Sequence, residues 1–448
     1  MITGTTCPHA AITTDGAGLP EFDPHAPDFL NIAYAVYAAW RESGRTQRVR
    51  TTTDRSLTPA MPAARRSMQT VFVNRYDDVN TALIDDRLSI DLRTVTIPDE
   101  HAPQEDVASG GIRILSQSLI EMDPPEHTRV RKLVQPTFTP RTMEEMRPAI
   151  QRTADALLDD AEAAAATRGE AAPNRRLDLI PQFAYPLPVA IISDLLGIPR
   201  ERTNTWIGMT RRDESAAPPT PQEARERFQQ FVDYLKKLFE ERRTHPRDDM
   251  ISRMALARED DDRLTDEEML ATAFLLYGAG HATTVNLIGN AVVALLTHPA
   301  ELAKFRQDPA LIPNAIEETL RYWAPAETVG RSIMERDGQP IAGEVEVAGC
   351  PLHAGELLTL NLAAANRDPA RFADPDTYDV ARANANRHVA FGKGIHLCLG
   401  APLARVEGQV AVETLFRRYP DLRLAIPEDD LTWSGGVLRG FKAIPLLF

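Results

Sequence analysis

The residues best able to do chemistry are gathered in one stretch, Phe391-Gly392-Lys393-Gly394-Ile395-His396-Leu397-Cys398-Leu399-Gly400, which runs into a helix opened by Ala401-Pro402. Proline suits a first helical turn because it has no N–H to lose there. Glycines at 392, 394 and 400 let the backbone turn sharply and approach a flat group closely. A cysteine just before a helix N-terminus has its thiolate favoured by the helix dipole and by free N–H groups, so Cys398 is placed to act as a metal ligand. Standing alone it would read as a small buried hydrophobe, the usual fate of a lone cysteine. Other pairs carry charge at helical spacing. Glu318 and Arg321 stand at i and i+3, and His127 and Arg131 at i and i+4, so each pair shares a face. Thr283 lies midway along a run from Met269 to His298 without Asp, Glu, Lys or Arg.

The stretch from Phe391 to Arg405 resembles the haem-ligand signature of the cytochromes P-450, the haem-thiolate monooxygenases, at Phe391, Gly392, Gly394, His396, Cys398, Leu399, Gly400, Leu403, Ala404 and Arg405. Glu318-Thr-Leu-Arg321 resembles the family's ExxR motif, and Asp123-Pro-Pro-Glu126-His127-Thr-Arg129-Val-Arg131 its segment leading into the helix beside the haem. The resemblance implies a mainly α fold with a small β region, a triangular helical prism around haem b (iron protoporphyrin IX). It makes Cys398 the axial ligand, whose electron density favours O–O cleavage. Cofactor contacts then fall to His127, Arg131, Ala279, Thr283, Arg331, Phe391, His396 and Cys398, with His127, Arg131, Arg331 and His396 on the haem propionates. Glu318, Arg321 and Arg382 form a charged triad holding the cysteine loop; the planar guanidinium fork suits that role.

The same resemblance makes Thr283 and Cys398 the catalytic residues of an enzyme that inserts one atom of O2 into a small, largely hydrophobic substrate, by hydroxylation or epoxidation. Substrate contacts are expected at Leu275, Gly278 and Ala279 on the long helix, Glu327 and Val329 after the ExxR helix, and Val437 and Leu438 near the end. Glu327 is open to two readings, a contact to a polar group or amine of the substrate and a structural hydrogen bond. NAD(P)H-derived electrons would arrive through ferredoxin and ferredoxin reductase, since the sequence carries no flavin or iron–sulfur segment. Arg129, Lys132 and Lys393 are candidate basic residues for docking an acidic partner.

One position departs from the pattern. Ala282 stands where the family has Glu or Asp before the threonine, and a methyl group cannot relay protons. His281 points about 100° away around the helix and is a poor substitute. Proton delivery through ordered water or a substrate hydroxyl is the first reading, and oxidative coupling or peroxide-driven turnover is the alternative. A haem sensor without turnover is a third, opposed by the retained Thr283 and the basic proximal residues. Gly280 and Thr283 are expected to open the helix locally.

These residues need a helix-rich frame. Apolar periodicity predicts helices over Asp28–Glu42, Arg141–Ala166, Ile180–Leu196, Pro221–Arg243, Thr265–His298, Ile312–Trp323 and Pro402–Tyr419. Strands are predicted at Thr70–Asn74, Val345–Val347, Leu357–Leu360 and Phe441–Phe448. Residues 45–69 read as an irregular insertion, 1–19 as a flexible tail and 20–448 as a single domain. The resemblance is weakest at 45–69, 92–120 and 205–222.

The 448 residues are 43% hydrophobic and 25% charged, the make-up of an ordinary globular protein. A net charge of −14 argues against nucleic acid as a partner. Cys7, Cys350 and Cys398, odd in number and without CxxC spacing, suit a reducing cytoplasm rather than a disulfide framework. The long uncharged run could span a bilayer by length, but His281, Asn286 and Asn290 within it and charged flanks favour a buried core helix, hence no membrane insertion. The expected protein is a cytoplasmic monomer of secondary metabolism.

Overall fold

The computed structural model describes residues 12–14, 18–52, 67–91, 114, 117–202, 220–258, 262–333, 335–336, 339–340, 345–352 and 356–448. In chain order the main elements are β1 (Thr13–Thr14), β2 (Pro20–Phe22), α1 (Pro27–Ser43), β3 (Thr46–Thr52), β4 (Ser67–Val73), β5 (Leu88–Ser89) and α2 (Glu126–Val134). There follow α3 (Pro140–Glu144), α4 (Arg147–Thr167), β6 (Arg176–Asp178), α5 (Pro186–Leu196), α6 (Pro221–Thr244) and α7 (Asp266–Thr297). The last third holds α8 (Ile312–Tyr322), β7 (Thr328–Ile333), β8 (Leu357–Asn361), α9 (Ala401–Arg418), β9 (Arg423–Leu424), β10 (Trp433–Ser434), β11 (Gly440–Phe441) and β12 (Pro445–Leu447).

The chain divides into two compact units, each assembled from three separate stretches. The first comprises 1–104, 317–397 and 431–442. Its seven-stranded sheet runs β1-β2-β3-β4-β8-β7-β5, with β4 and β8 parallel and β8 and β7 antiparallel. Val71, Val73, Leu358 and Leu360 bury one part of its core, and Phe22, Phe29, Trp40 and Phe72 another. The second comprises 105–316, 398–430 and 443–448. There α7 packs against α5, α6 and α9, and α9 also packs against α3 and α4. Beside this helical layer, β6, β12 and β9 form a three-stranded antiparallel sheet.

The helix α7 starts on a capping box, Thr265 with Glu268, and carries Asp266 and Glu267 against the positive end of its dipole. Among the described residues it is the one helix long and apolar enough to cross a membrane, yet 67% of its apolar window is buried inside the chain. That is the behaviour of a core helix.

Several sequence expectations shift. The helix expected over 141–166 is two, α3 and α4, because Pro148 has no N–H for a continuous ladder. The stretch 180–196 opens with a π-helical turn at Ile180–Ala184 before α5 begins at Pro186. The expected strand over 441–448 is split between β11 and β12, which pair in different sheets. Residues 46–52 and 67–69, read as irregular, are strand: Thr46 pairs with Val73 and Thr52 with Ser67. Only Val49 is buried in β3, so its run of Thr, Gln and Arg conceals the alternation that marks a strand. Residues 53–66 and Cys7 lie outside the described residues.

Candidate functional site

In the first unit the cysteine loop arrives through Gly392 and Gly394, both at φ 69°, in the left-handed region. At Gly394 a Cβ would stand 3.0 Å from Ile84 Cγ2 and 3.3 Å from the Leu83 carbonyl, so glycine is required there by space as well as by dihedral. Lys393 Nζ donates to Asn80 Oδ1 at 2.8 Å. Behind the loop the charged triad is formed. Arg321 donates to Glu318 through Nε (2.7 Å) and Nη2 (2.8 Å), and Arg382 Nε reaches Glu318 Oε1 at 3.1 Å. The remaining donors of both arginines go to carbonyls of Asn366, Ala373, Asp374, Pro375 and Thr377. Glu318 and Arg321 are fully buried, and every charge in the cluster is met by hydrogen bonds. Arg331, on β7 opposite Leu358, is also buried. His396 and Phe391 are partly exposed, while Ile395 and Leu397 are 48% and 45% exposed, an uncommon state for large apolar side chains beside a conserved-looking turn.

In the second unit Cys398 precedes α9, and the backbone N–H groups of Gly400 and Ala401 hold its sulfur. Burial nevertheless pushes the thiol above its ordinary range, against those N–H groups and the nearby Arg131 and Arg405. The cysteine remains solvent-accessible, so the sulfur borders open space while crowded by protein. His127, on α2 with Arg131, is buried; desolvation first, then Arg131, lowers its pKa to about 4. Along α7, Leu275, Gly278, Ala279, Ala282, Thr283 and Asn286 are the accessible positions of a mostly buried central stretch. Their spacing of three and four places them on one stripe. A Cβ on Gly278 would meet nothing within 4 Å.

These features fit a flat, apolar, dianionic cofactor held by a soft metal. A sulfur faces open space at a helix N-terminus, with basic side chains near it, and the core helix exposes a stripe of small residues. The thiolate ligand, the anion partners His127 and Arg131 of this unit, and Arg331, Phe391 and His396 of the other are the residues able to hold it.

Other expected residues resolve differently. Glu327 is 1% exposed; Arg439 Nη1 donates to its Oε1 at 3.3 Å and the Tyr37 hydroxyl to its Oε2 at 3.4 Å. Of its two readings the structural one holds, since a carboxylate so enclosed has no free surface for substrate. Burial raises its pKa, opposed mainly by Arg439. Val329 is partly buried against the sheet core, Leu438 is partly exposed and Val437 is 59% exposed. Arg129 is no free docking charge: it pairs with Asp262 and Glu268. The helix α7 runs unbroken through 279–284, so the expected opening is absent. Instead the hydroxyls of Thr283 and Thr284 donate to the carbonyls of Ala279 (3.1 Å) and Gly280 (3.4 Å). His281 is buried, bonded through Nδ1 to the Tyr277 carbonyl and set edge-on to Tyr185, off the accessible stripe. Sequence reasoning missed Arg439, whose partner lies 112 residues away. It also missed Glu407, a fully buried carboxyl on α9 with no hydrogen-bond partner and its pKa raised by burial to about 8.

Comparison with known proteins agrees with this arrangement. The family model described as cytochrome P450 matches residues 214–429. The 6-deoxyerythronolide B hydroxylase of Saccharopolyspora erythraea is 37% identical, over 88% of this chain and 93% of its own. The vitamin D(3) 25-hydroxylase of Pseudonocardia autotrophica is 40% identical, over 84% and 87%. The crystal structure of myxobacterial cytochrome P450 CYP267B1 in complex with myristic acid superposes with a TM-score of 0.78 at 37% identity, covering 95% of this chain and 98% of that one. The chain belongs to the cytochrome P450 family. As a member it is an oxygen-incorporating oxidoreductase of bacterial type that works with haem, O2 and reducing equivalents.

Proposed function

We infer that this cytochrome P450 is a haem b monooxygenase of secondary metabolism in which Cys398 ligates the iron and the hydrophobic substrate lies along the accessible stripe of α7. Cys398 carries the reading: a solvent-facing sulfur at a helix N-terminus, held by two backbone N–H groups. When bound, the haem supplies the iron on which dioxygen is reduced and cleaved. Gly400 and Ala401 N–H groups and the positive end of α9 stabilise charge on Sγ. Arg131 and neutral His127 offer donors for the propionates, joined by Arg331 and His396. Leu275, Gly278 and Ala279 give the substrate an apolar surface with room beside Gly278; Val329, Val437 and Leu438 extend it. Thr283 must release Ala279 before its hydroxyl can donate elsewhere, while its oxygen remains able to accept.

Supply of electrons by ferredoxin and ferredoxin reductase, a monomeric state and a cytoplasmic location complete the proposal. Lys132 and Lys393 are the basic residues left for the partner once Arg129 is assigned to its acids. The relatives act on or bind three different compounds, so the fold admits more than one carbon skeleton. The second reading, oxidative coupling or peroxide-driven oxidation, is favoured by the methyl of Ala282 and the back-bonded Thr283 together, since neither offers a proton as it stands. The deciding experiment supplies surrogate ferredoxin, reductase and NADPH in one arm and peroxide alone in the other, with wild type and Cys398→Ser. Oxygenated product in the first arm, lost in the variant, supports the monooxygenase. Product only with peroxide supports the second reading, and product undiminished by Cys398→Ser sinks the ligand assignment.

A further inference from the structure

The hairpin of β10 and β11 closes through Gly435, Gly436, Val437, Leu438 and Arg439, with Trp433 facing Phe441 and Ser434 facing Gly440. One side of this tip is locked. A Cβ on Gly435 would overlap the Leu30 side chain and one on Gly436 the His25 ring, and Gly436 sits at φ 114°. His25 Nδ1 bonds the Gly435 carbonyl at 2.9 Å. The segment after α8 clamps the other end of the tip: Glu327 N–H donates to Val437 O (3.0 Å), Arg439 N–H to Pro325 O (2.8 Å), and Ala326 bridges Leu438.

The side chains repeat the clamp. Arg439, 2% exposed, donates to Glu327 through Nη1 and to the Leu30 carbonyl through Nη2 at 2.8 Å. Its guanidinium lies over the Trp433 ring at 4.1 Å and near Tyr34 at 5.0 Å. A buried pair of this kind adds little net stability over an apolar substitute, but it fixes where its backbone neighbours lie. What it fixes is Val437, the most exposed of the large apolar side chains among the described residues.

We propose that Glu327 and Arg439 are positioning residues that set the reach of Val437, and that Val437 selects among hydrophobic substrates by shape. This rests on the monooxygenase reading of the pocket and adds the device that tunes it. The pair touches no substrate; it acts through the two hydrogen bonds that pin the tip.

The test uses the haem-loaded full chain with myristic acid and vitamin D3 as probes, read by the spectral shift on binding, and imidazole as a small iron-directed control. Glu327→Gln and Val437→Ala should each change the ratio of the two probe dissociation constants by about threefold or more, in the same direction. The imidazole constant should stay within about twofold, because no long ligand meets the tip. Tyr37→Phe, which removes only the weaker bond to Glu327, should shift the ratio the same way by less, and it serves if Glu327→Gln does not fold. Unchanged ratios in Tyr37→Phe and Val437→Ala overturn the proposal. A wild-type protein that binds imidazole but neither probe overturns instead the hydrophobic-pocket reading beneath it.

Discussion

Arg382 Nε and Arg321 Nη2 converge on a single atom, Oε1 of Glu318, from positions 64 and 3 residues away in sequence. One carboxylate thereby ties α8 to the stretch 373–382 that precedes the cysteine loop, with the Asp379 N–H adding a third donor to the same oxygen. Removing one member leaves the others buried and uncompensated. Arg382→Ala should therefore cost about 3–5 kcal/mol of unfolding free energy in a urea titration. Arg382→Lys should recover only part, because an ammonium cannot span four acceptors as the fork does. A loss below about 1 kcal/mol for Arg382→Ala would mean that the cluster is ornamental, as exposed pairs often are.

Cys398 is a protonated thiol before it meets iron. Burial outweighs the two N–H groups and the arginines, so its thiolate fraction at neutral pH is small. Coordination requires the thiolate, so loading the apoprotein with haem should release about one proton per chain from this group. With Cys7 and Cys350 changed to serine, iodoacetamide should label the apoprotein slowly below about pH 9 and the loaded protein hardly at all. Fast labelling of the apoprotein at pH 7 contradicts the raised pKa; labelling unaffected by haem contradicts the ligand role.

Glu407 sets a pH dependence of opposite character to that of an ordinary carboxylate. Its folded pKa, about 8, lies above the unfolded value, with desolvation as the cause and no charged neighbour contributing. The folded chain binds the extra proton between these two values, so stability from this group is complete below about pH 4.5 and declines as pH rises to about 8. The decline amounts to a few kcal/mol. Glu407→Gln should flatten that part of the profile, measured as unfolding free energy against pH. An unaltered slope would show that the carboxyl is solvated in solution.

Motif residues were legible because their chemistry is local. The glycines and cysteine of 391–400, the Glu318–Arg321 spacing and the uncharged run of α7 need no knowledge of the rest of the chain. Long-range partners were not legible. Nothing near Glu327 signals Arg439 or Tyr37, so its two roles stayed balanced until burial separated them. Arg129 looked like a free basic charge for the same reason, as Glu268 is 139 residues away. Polar β3 hid its strand behind a single buried valine, and Pro148 broke a helix whose apolar period continues across the gap. The opening expected in α7 failed on a competing local bond: Thr283 satisfies its hydroxyl on Ala279 within the helix.

That bond leads to the last prediction. Two groups on the accessible stripe of α7 could present protons, positions 282 and 283, and as folded neither does so: one is a methyl and the other donates to Ala279. Ala282→Glu restores an acid one residue before the threonine, on the same stripe. If delivery through water is the limiting path, this variant should raise product formed per NADPH consumed. Thr283→Ala should lower it by about tenfold, the worth of one well-placed hydrogen bond of about 1.4 kcal/mol. Thr283→Ser, which keeps the hydroxyl, should stay near wild type. Coupling unchanged in Ala282→Glu would make the departure at 282 neutral. Coupling unchanged in Thr283→Ala as well would place proton delivery away from α7, on the substrate or on water held by other elements.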